Sequence, residues 1–160
     1  MREPQLGTAL SPEFEVVRHC NLLDVDDEVN PLHPTPNASA FRLRPNEPYL
    51  SVNCPDIFAD LPDKVSRLQQ ILNDLRTKPG GRKVKSSHWF APLSVGEILK
   101  LVCESNSEHF RVELEAEAGD ESHSGIYGQS GATDDDERNS LQTAIAACAS
   151  GPAIRVSDLE

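Results

Sequence analysis

Apolar residues recur at helical spacing in the middle of the chain. Five aliphatic residues are separated by four, three, four and three positions: Leu61, Val65, Leu68, Leu72 and Leu75. This spacing places them on one face of an amphipathic helix. The pattern predicts a helix over about 62–76, with Asp60 as its N-cap, Pro62 in its first turn and Pro79-Gly80-Gly81 beyond its end.

Two further helices are predicted from their start signals and their apolar faces. Ser94 and Glu97 fit a capping box, which predicts a helix over about 95–104. Another helix is predicted over about 135–149, where consecutive aspartates lie at the end that the helix dipole favours for negative charge. One face of that helix carries three apolar residues: Leu141, Ile145 and Cys148.

Alternation of apolar and polar residues predicts the strands. Alternation is strict over 110–117, where three residues are expected to face inward: Val112, Leu114 and Ala116. Residues 40–44 also alternate, and they are expected to pair with a strand over 49–54 as a hairpin. Other short strands are predicted within four stretches: 13–23, 88–91, 123–128 and 153–156.

These elements predict one α+β domain over residues 1–160, with a mixed or antiparallel sheet of about five strands and three helices. A chain of 160 residues matches the usual size of a single domain. Three stretches lack regular patterning and are predicted to be irregular: an arm over 1–13, a long proline-rich loop over 24–39 and a flexible acidic loop over 129–136.

The net charge narrows the classes of partner. The chain carries 15 basic and 26 acidic residues, for a formal net charge of −11. Such a balance disfavours binding to nucleic acid or to an anionic membrane, because both require basic surfaces. No apolar run is long enough to span a bilayer, and no signal peptide is recognisable, so the sequence predicts a cytoplasmic protein.

Cysteines and histidines give no pattern typical of a metal or cofactor site. The four cysteines, at positions 20, 54, 103 and 148, are far apart and form no CxxC pair. They are therefore predicted to be free and mostly buried thiols. The five histidines do not cluster with other ligands, and no phosphate-binding motif is present. The sequence predicts neither a metal nor a cofactor.

The most distinctive chemistry lies around His123. A functional interpretation makes this region the edge of a pocket, with His123 as acid, base or anion contact. The neighbouring polar side chains that we consider as ligand contacts are Ser122, Ser124 and Tyr127. The structural interpretation is that His123 caps a turn and that Gly125 and Gly128 permit the bend, and it is the commoner case for a loop histidine without a defined partner.

Two other polar clusters are candidates to face His123. Arg18 and His19 lie together on one predicted strand, and Ser51 lies on another. If they met in one cleft, Arg18 and Ser51 would join His123 as catalytic candidates, and His19 would be a ligand contact. Such a cleft would suit a phosphate or a dinucleotide. The bland alternative is a surface ion pair for Arg18 and an ordinary strand position for Ser51.

Two segments carry a resemblance to small uncharacterised bacterial proteins. The first is the Leu50-Ser51-Val52 strand that follows Phe41-Arg42-Leu43, and the second is the SHxxIxG pattern over 122–128. The resemblance covers only these short segments. It implies a bacterial origin and an accessory role, and it implies no known activity.

We therefore expect a non-catalytic interaction protein that binds a protein partner, such as a regulatory subunit or a toxin-neutralising protein. An acidic protein is steered onto a basic partner by its own field. The candidate contacts are three aspartates: Asp134, Asp135 and Asp136. The alternatives are a small enzyme, a hydrolase or transferase, and a small-ligand sensor, both using a pocket around His123.

Overall fold

A six-stranded antiparallel sheet runs through the computed structural model, which describes residues 7–160. Two small ribbons accompany this sheet. In chain order, the strands of the sheet and of the ribbons are β1 (Glu15–Cys20), β2 (Val25–Asp26), β3 (Thr35–Pro36), β4 (Leu50–Asn53), β5 (Trp89–Ser94), β6 (Val102–Cys103), β7 (Glu108–His109), β8 (Arg111–Leu114), β9 (His123–Tyr127) and β10 (Ile154–Arg155). The order across the main sheet is β10-β5-β1-β4-β9-β8, while β2 pairs with β3 and β6 pairs with β7.

Each of the three α-helices begins at a side chain that accepts a hydrogen bond from the first turn. The helices are α1 (Lys64–Thr77), α2 (Val95–Ile98) and α3 (Asp135–Ala146). Their caps are Asp63, Ser94 and Asp134, which accept from the amides of Ser66, Glu97 and Glu137. Such caps satisfy amide groups that the helix itself leaves unpaired.

The sheet separates two hydrophobic cores. Adjacent residues of β1 belong to different cores, because successive side chains of a strand point to opposite faces. Val17 packs with the buried face of α1, whereas Val16 belongs to the larger core that includes Leu141 and Ile145 of α3. The two helices therefore cover opposite faces of the sheet.

The predicted fold class is confirmed: the protein is an α+β domain with three helices and an antiparallel sheet. The helix predicted over 62–76 is confirmed as α1, although its cap is Asp63 rather than Asp60. Val65 is exposed, and Ile71 instead lies in the core.

The strand predicted over 40–44 and its hairpin are wrong. Both edges of β4 are occupied, by β1 and by β9, so no position is left for a further strand. Ala38–Phe41 instead forms a 3-10 turn. The carbonyls of Ala40 and Phe41 accept hydrogen bonds from the Arg18 and Gln129 side chains.

The helix predicted over 95–104 ends early, at Ile98. The chain turns there, and β6 pairs with β7 through a turn in which Ser107 has a positive φ of 59°. The Ser105 hydroxyl donates to Glu137 of α3 at 2.7 Å, which anchors this turn. Ala116 is exposed rather than inward-facing, because β8 ends at Leu114.

The three stretches predicted to be irregular contain short ordered pieces. Residues 1–6 of the predicted arm lie outside the described residues. Residues 7–10 run beside β8: the Gly7 amide donates to the Leu114 carbonyl at 2.6 Å, and the Leu10 amide donates to the Val112 carbonyl at 2.9 Å. The 24–39 loop contains the β2–β3 ribbon, and the 129–136 loop contains a 3-10 turn over Gln129–Gly131.

Candidate functional site

A polar cluster with a buried centre surrounds His123 at the meeting of β4, β9 and the end of α1. His123 lies directly opposite Asn53 in the β4–β9 pairing. We call the cluster the His123 network, and its members are Tyr49, Asn53, Lys78, Glu115, Glu117, Asp120, Ser122, His123 and Tyr127. Polar groups in such a position must be paired within the protein or with a ligand.

Asp120 is the charged centre of the network. It is fully buried, and its Oδ2 lies 2.8 Å from the Lys78 ammonium. The Asn53 amide donates to Asp120 Oδ1 at 2.7 Å and to the Ser122 hydroxyl at 3.0 Å. The charge and lone pairs of the Asp120 carboxylate are thus satisfied by neighbouring side chains.

His123 is oriented by the segment that follows β8. Its Nδ1 lies 2.8 Å from the Glu115 carbonyl oxygen, which can only accept, so Nδ1 carries the hydrogen. Glu117 Oε1 lies 3.5 Å from the same nitrogen. Desolvation by burial would raise the pKa of Glu117, but the hydrogen bond from Lys78 and the charge of His123 outweigh it and lower that pKa.

Two tyrosines cover this face of the sheet. The Tyr49 ring crosses Gly125 so closely that a Cβ atom there would lie 2.5 Å from it. The ring also contacts His123 and Tyr127, with centroid distances of 5.9 and 5.1 Å. Tyr127 donates to Glu115 Oε1 at 2.5 Å, and desolvation together with Glu115 raises the pKa of Tyr127. Gly125 is required here by the close approach of a ring.

The hydroxyls near His123 are engaged elsewhere. Ser122 and Ser124 are fully buried, and the Ser124 hydroxyl donates to the Ser122 carbonyl at 3.0 Å. Within residues 7–160 no serine hydroxyl hydrogen-bonds to His123. A nucleophile activated by a base needs such a bond. His123 itself is only 3% exposed, so the observed contacts favour a structural role for the network.

Arg18 is not brought together with His123. Arg18 neighbours Val17 on β1, and Val17 is the residue that pairs with Asn53, so Arg18 points to the opposite face of the sheet. Its guanidinium donates to the carbonyls of Ala40 and Ser51 at 3.0 and 2.7 Å. Burial lowers the pKa of Arg18. The Ser51 side chain lies on the same face as His123, but Arg18 contacts only the backbone carbonyl of Ser51.

His19 is paired with a second histidine. His19 Nε2 lies 2.9 Å from His88 Nδ1, which also accepts from the Lys85 amide at 3.2 Å. Since His88 Nδ1 is an acceptor, the hydrogen between the rings belongs to His19. Burial, followed by the neighbouring His88, lowers the pKa of His19 to about 4. Burial also lowers the pKa of His88, so both rings are neutral at pH 7.

The cysteines are free and buried, as predicted. Burial raises the pKa of Cys20 and of Cys54 to about 12 and that of Cys148 to about 11. Thiols with such values are not nucleophilic at neutral pH. In the described part of the chain, no three His, Cys, Asp or Glu side chains are arranged to hold a metal ion.

The loop between β1 and β4 exposes apolar side chains, which sequence reasoning missed. We call residues 21–37 the acidic-apolar loop. Four of the five large hydrophobic residues exposed in the described chain lie on it: Leu22 at 50%, Leu23 at 86%, Val29 at 88% and Leu32 at 92%. The fifth is Val65 on α1. The one signal in the sequence was that apolar residues without periodicity are interspersed with acidic and proline residues over 21–37.

A groove of about 770 Å³ separates residues 42–47 from α3, and sequence analysis also missed it. Three arginines line it: Arg42, Arg44 and Arg138. Gln129 also contributes to its wall, and its Oε1 is buried without a donor in residues 7–160. An unpaired buried acceptor of this kind costs about 1–3 kcal/mol. Arg42 and Gln129 come from segments that are far apart in the sequence, and they line the same groove only after folding. This is why sequence patterns did not indicate the groove.

The three candidate aspartates lie at the start of α3 and are exposed. Asp134 caps the helix, and Asp135 pairs with Arg138 at 2.8 Å. Asp136 lies in the first turn, where the helix dipole stabilises negative charge. A structural reason therefore exists for each of the three.

No helix in residues 7–160 has the length and apolar character needed to cross a membrane. No protein-family model matches the chain, and comparisons with curated proteins and with solved structures yield no match.

Proposed function

We propose that this is a non-catalytic accessory protein that binds a protein partner through the acidic-apolar loop. The observation that supports the proposal is the placement of Leu22, Leu23, Val29 and Leu32 at the surface within one short stretch. Single exposed apolar residues are ordinary, but a concentration of them on one segment is typical of an interaction site.

The loop is held in place by its own hydrogen bonds. Asp26 Oδ1 accepts from the amides of Glu28 and Val29 at 3.0 and 3.3 Å. The Asn37 side chain donates to the Leu23 carbonyl at 3.2 Å. Arg155 pairs with Asp27 at 3.1 Å, which ties the loop to the sheet. A binding segment that is already ordered loses little conformational entropy when it binds.

The charge of the loop indicates the chemistry of the partner. Residues 21–37 contain four acidic residues and no lysine or arginine: Asp24, Asp26, Asp27 and Glu28. The matching surface is an apolar cleft bordered by basic side chains. Such a cleft would bury the exposed leucines, and its basic border would compensate the charge of the carboxylates. The same charges would steer the acidic protein toward this partner at low salt.

The finer parts of the proposal are a regulatory or toxin-neutralising role in a bacterium and a cytoplasmic location. Four free, buried cysteines support a reducing compartment, since disulfides are rare there. The enzyme and sensor alternatives rely on His123, whose contacts in the structure are with its own network. We expect His123→Ala to leave partner binding intact.

Site-specific photo-crosslinking tests the proposal. A photoreactive amino acid replaces Leu32 in one variant and Val65 in the other, both expressed in the native host. Val65 is the matched control because it is an exposed apolar residue on α1, outside the acidic-apolar loop. We expect one defined crosslinked protein from position 32 and none from position 65.

The captured protein is then purified, and its affinity is measured by calorimetry. We expect Leu23→Ala combined with Leu32→Ala to weaken binding by about tenfold or more, because truncating interface anchors commonly costs more than 1.4 kcal/mol. Val65→Ala should bind as wild type. Equal crosslinking from both positions, or unchanged affinity of the double variant, would refute the proposal.

A further inference from the structure

The groove between residues 42–47 and α3 has the size of a small-molecule site. Its volume of about 770 Å³ lies within the range of roughly 300–1,000 Å³ typical of ligand pockets. It does not involve the acidic-apolar loop residues that we assign to a protein partner, nor does it involve His123. Its lining is divided about equally between polar and apolar surface, and the side-chain amides of Gln129, Asn139 and Gln142 belong to the polar part.

The groove gathers positive charge in a protein whose net charge is −11. Arg42, Arg44 and Arg138 line it, together with two carboxylates, Glu47 and Asp135. Arg138 pairs with Asp135 at 2.8 Å, and Arg44 lies 3.6 Å from Glu47. Arg42 has no carboxylate partner within residues 7–160. One guanidinium fork is therefore left for an anionic group, and guanidinium matches carboxylate and phosphate geometry.

Gln129 provides the second, independent observation. Its side chain is 7% exposed, and its Nε2 donates to the Phe41 carbonyl at 2.8 Å, which fixes the orientation of the amide. Its Oε1 is buried and has no donor in the described chain. Because this oxygen is covered, a ligand N–H or O–H would reach it by displacing part of the groove wall. The groove thus offers a guanidinium for an anion, and an unpaired acceptor lies behind its wall.

We propose that this groove binds a small anionic metabolite that carries a carboxylate or phosphate group and a hydrogen-bond donor. The anionic group contacts Arg42, with Arg44 and Arg138 beside it. The donor reaches Gln129 Oε1 when the side chains that cover this oxygen shift, and the amides of Asn139 and Gln142 contact the polar body of the molecule. The binding involves no covalent step.

Two-dimensional ¹⁵N NMR of the whole chain tests this proposal. The probes are adenosine monophosphate, citrate and adenosine, each added without metal at millimolar concentration. We expect adenosine monophosphate or citrate to shift the Gln129 side-chain amide and the backbone amides of 42–47 and 129–142. A phosphate site responds to adenosine monophosphate alone, a carboxylate site responds to citrate, and uncharged adenosine leaves the spectrum unchanged.

Three variants establish which groups bind. Arg42→Gln and Gln129→Leu should each lower the affinity for the responding probe by about tenfold. This is the effect of losing one charge-assisted or buried hydrogen bond. Arg111→Gln is the matched charge control, because Arg111 lies over Tyr127 outside the groove. The proposal is overturned if both anions leave the groove resonances unshifted, if adenosine shifts them equally, or if Arg111→Gln weakens binding as much as Arg42→Gln.

Discussion

The His123 network and the acidic-apolar loop invert the usual placement of residues in opposite ways. In the network, polar and charged side chains are buried, and Asp120 is fully enclosed. In the loop, large apolar side chains such as Leu23 and Leu32 are exposed to solvent. The two regions differ in whether the protein itself supplies contacts for the side chains placed in this unusual way. Asp120 finds its partners inside the protein. Val25 of the loop packs into the core, whereas Leu22, Leu23, Val29 and Leu32 are left exposed by the described residues.

The comparison predicts that removing one partner from the network destabilises the protein strongly. Lys78→Ala leaves the buried Asp120 carboxylate without its counter-charge, and breaking a buried pair costs about 3–5 kcal/mol. The free energy of unfolding in urea measures the loss. Lys100→Ala is the control, because its ion pair with Glu97 is exposed and contributes under about 1 kcal/mol. Equal losses for the two variants would show that Asp120 is hydrated rather than enclosed.

A smaller effect is expected where the network meets its aromatic cover. Gly125→Ala places a methyl group against the Tyr49 ring, and overpacking of this kind costs about 1–3 kcal/mol. Tyr49→Ala removes the obstacle, so a double-mutant cycle followed by urea unfolding should show strong coupling between the two positions. Additive losses would contradict the packing described here.

The pH dependence of stability tests a second buried polar pair, His19 and His88. The pKa of His19 is about 4 in the folded protein, against 6.5 as its ordinary value. Between these values the unfolded chain takes up a proton that the folded chain does not, so stability falls as pH falls from about 6.5 to 4, by at most about 1.4 kcal/mol per pH unit. His19→Gln keeps a donor for His88 but does not titrate. Its unfolding free energy should change less over this range, and parallel curves would contradict the assignment.

The smallest effect on stability is expected in the loop. Leu32→Ala removes an exposed side chain and should change the unfolding free energy by no more than about 0.5 kcal/mol. Leu50→Ala, the same substitution at a fully buried position of β4, should cost about 2–5 kcal/mol. A large loss from Leu32→Ala would mean that the loop packs on its own protein, which would weaken the proposal that it binds a partner.

The fold was more predictable from sequence than the candidate sites were. Periodicity identified α1, α3 and the β8–β9 region because local patterning and the core agree there. The strand predicted from the alternation over 40–44 does not form, because β4 is paired on both edges. Only the tertiary arrangement determines which strands pair with β4. The groove that Arg42 and Gln129 line was not predictable either, because 86 residues lie between these two positions in the sequence. The cleft that would have joined Arg18 with His123, one of two alternatives left open by the sequence, does not form, because the two residues point to opposite faces of the sheet.

The pairing of residues 7–10 with β8 has a consequence for how copies of this protein behave toward one another. Without that segment, β8 would present free amides and carbonyls along an outer edge, which is a template for strands of other molecules. The opposite edge of the sheet is formed by β10, which pairs with β5 over only two residues. Both margins of the sheet are thereby unsuited to edge-to-edge association, and residues 7–10 protect the longer one against aggregation.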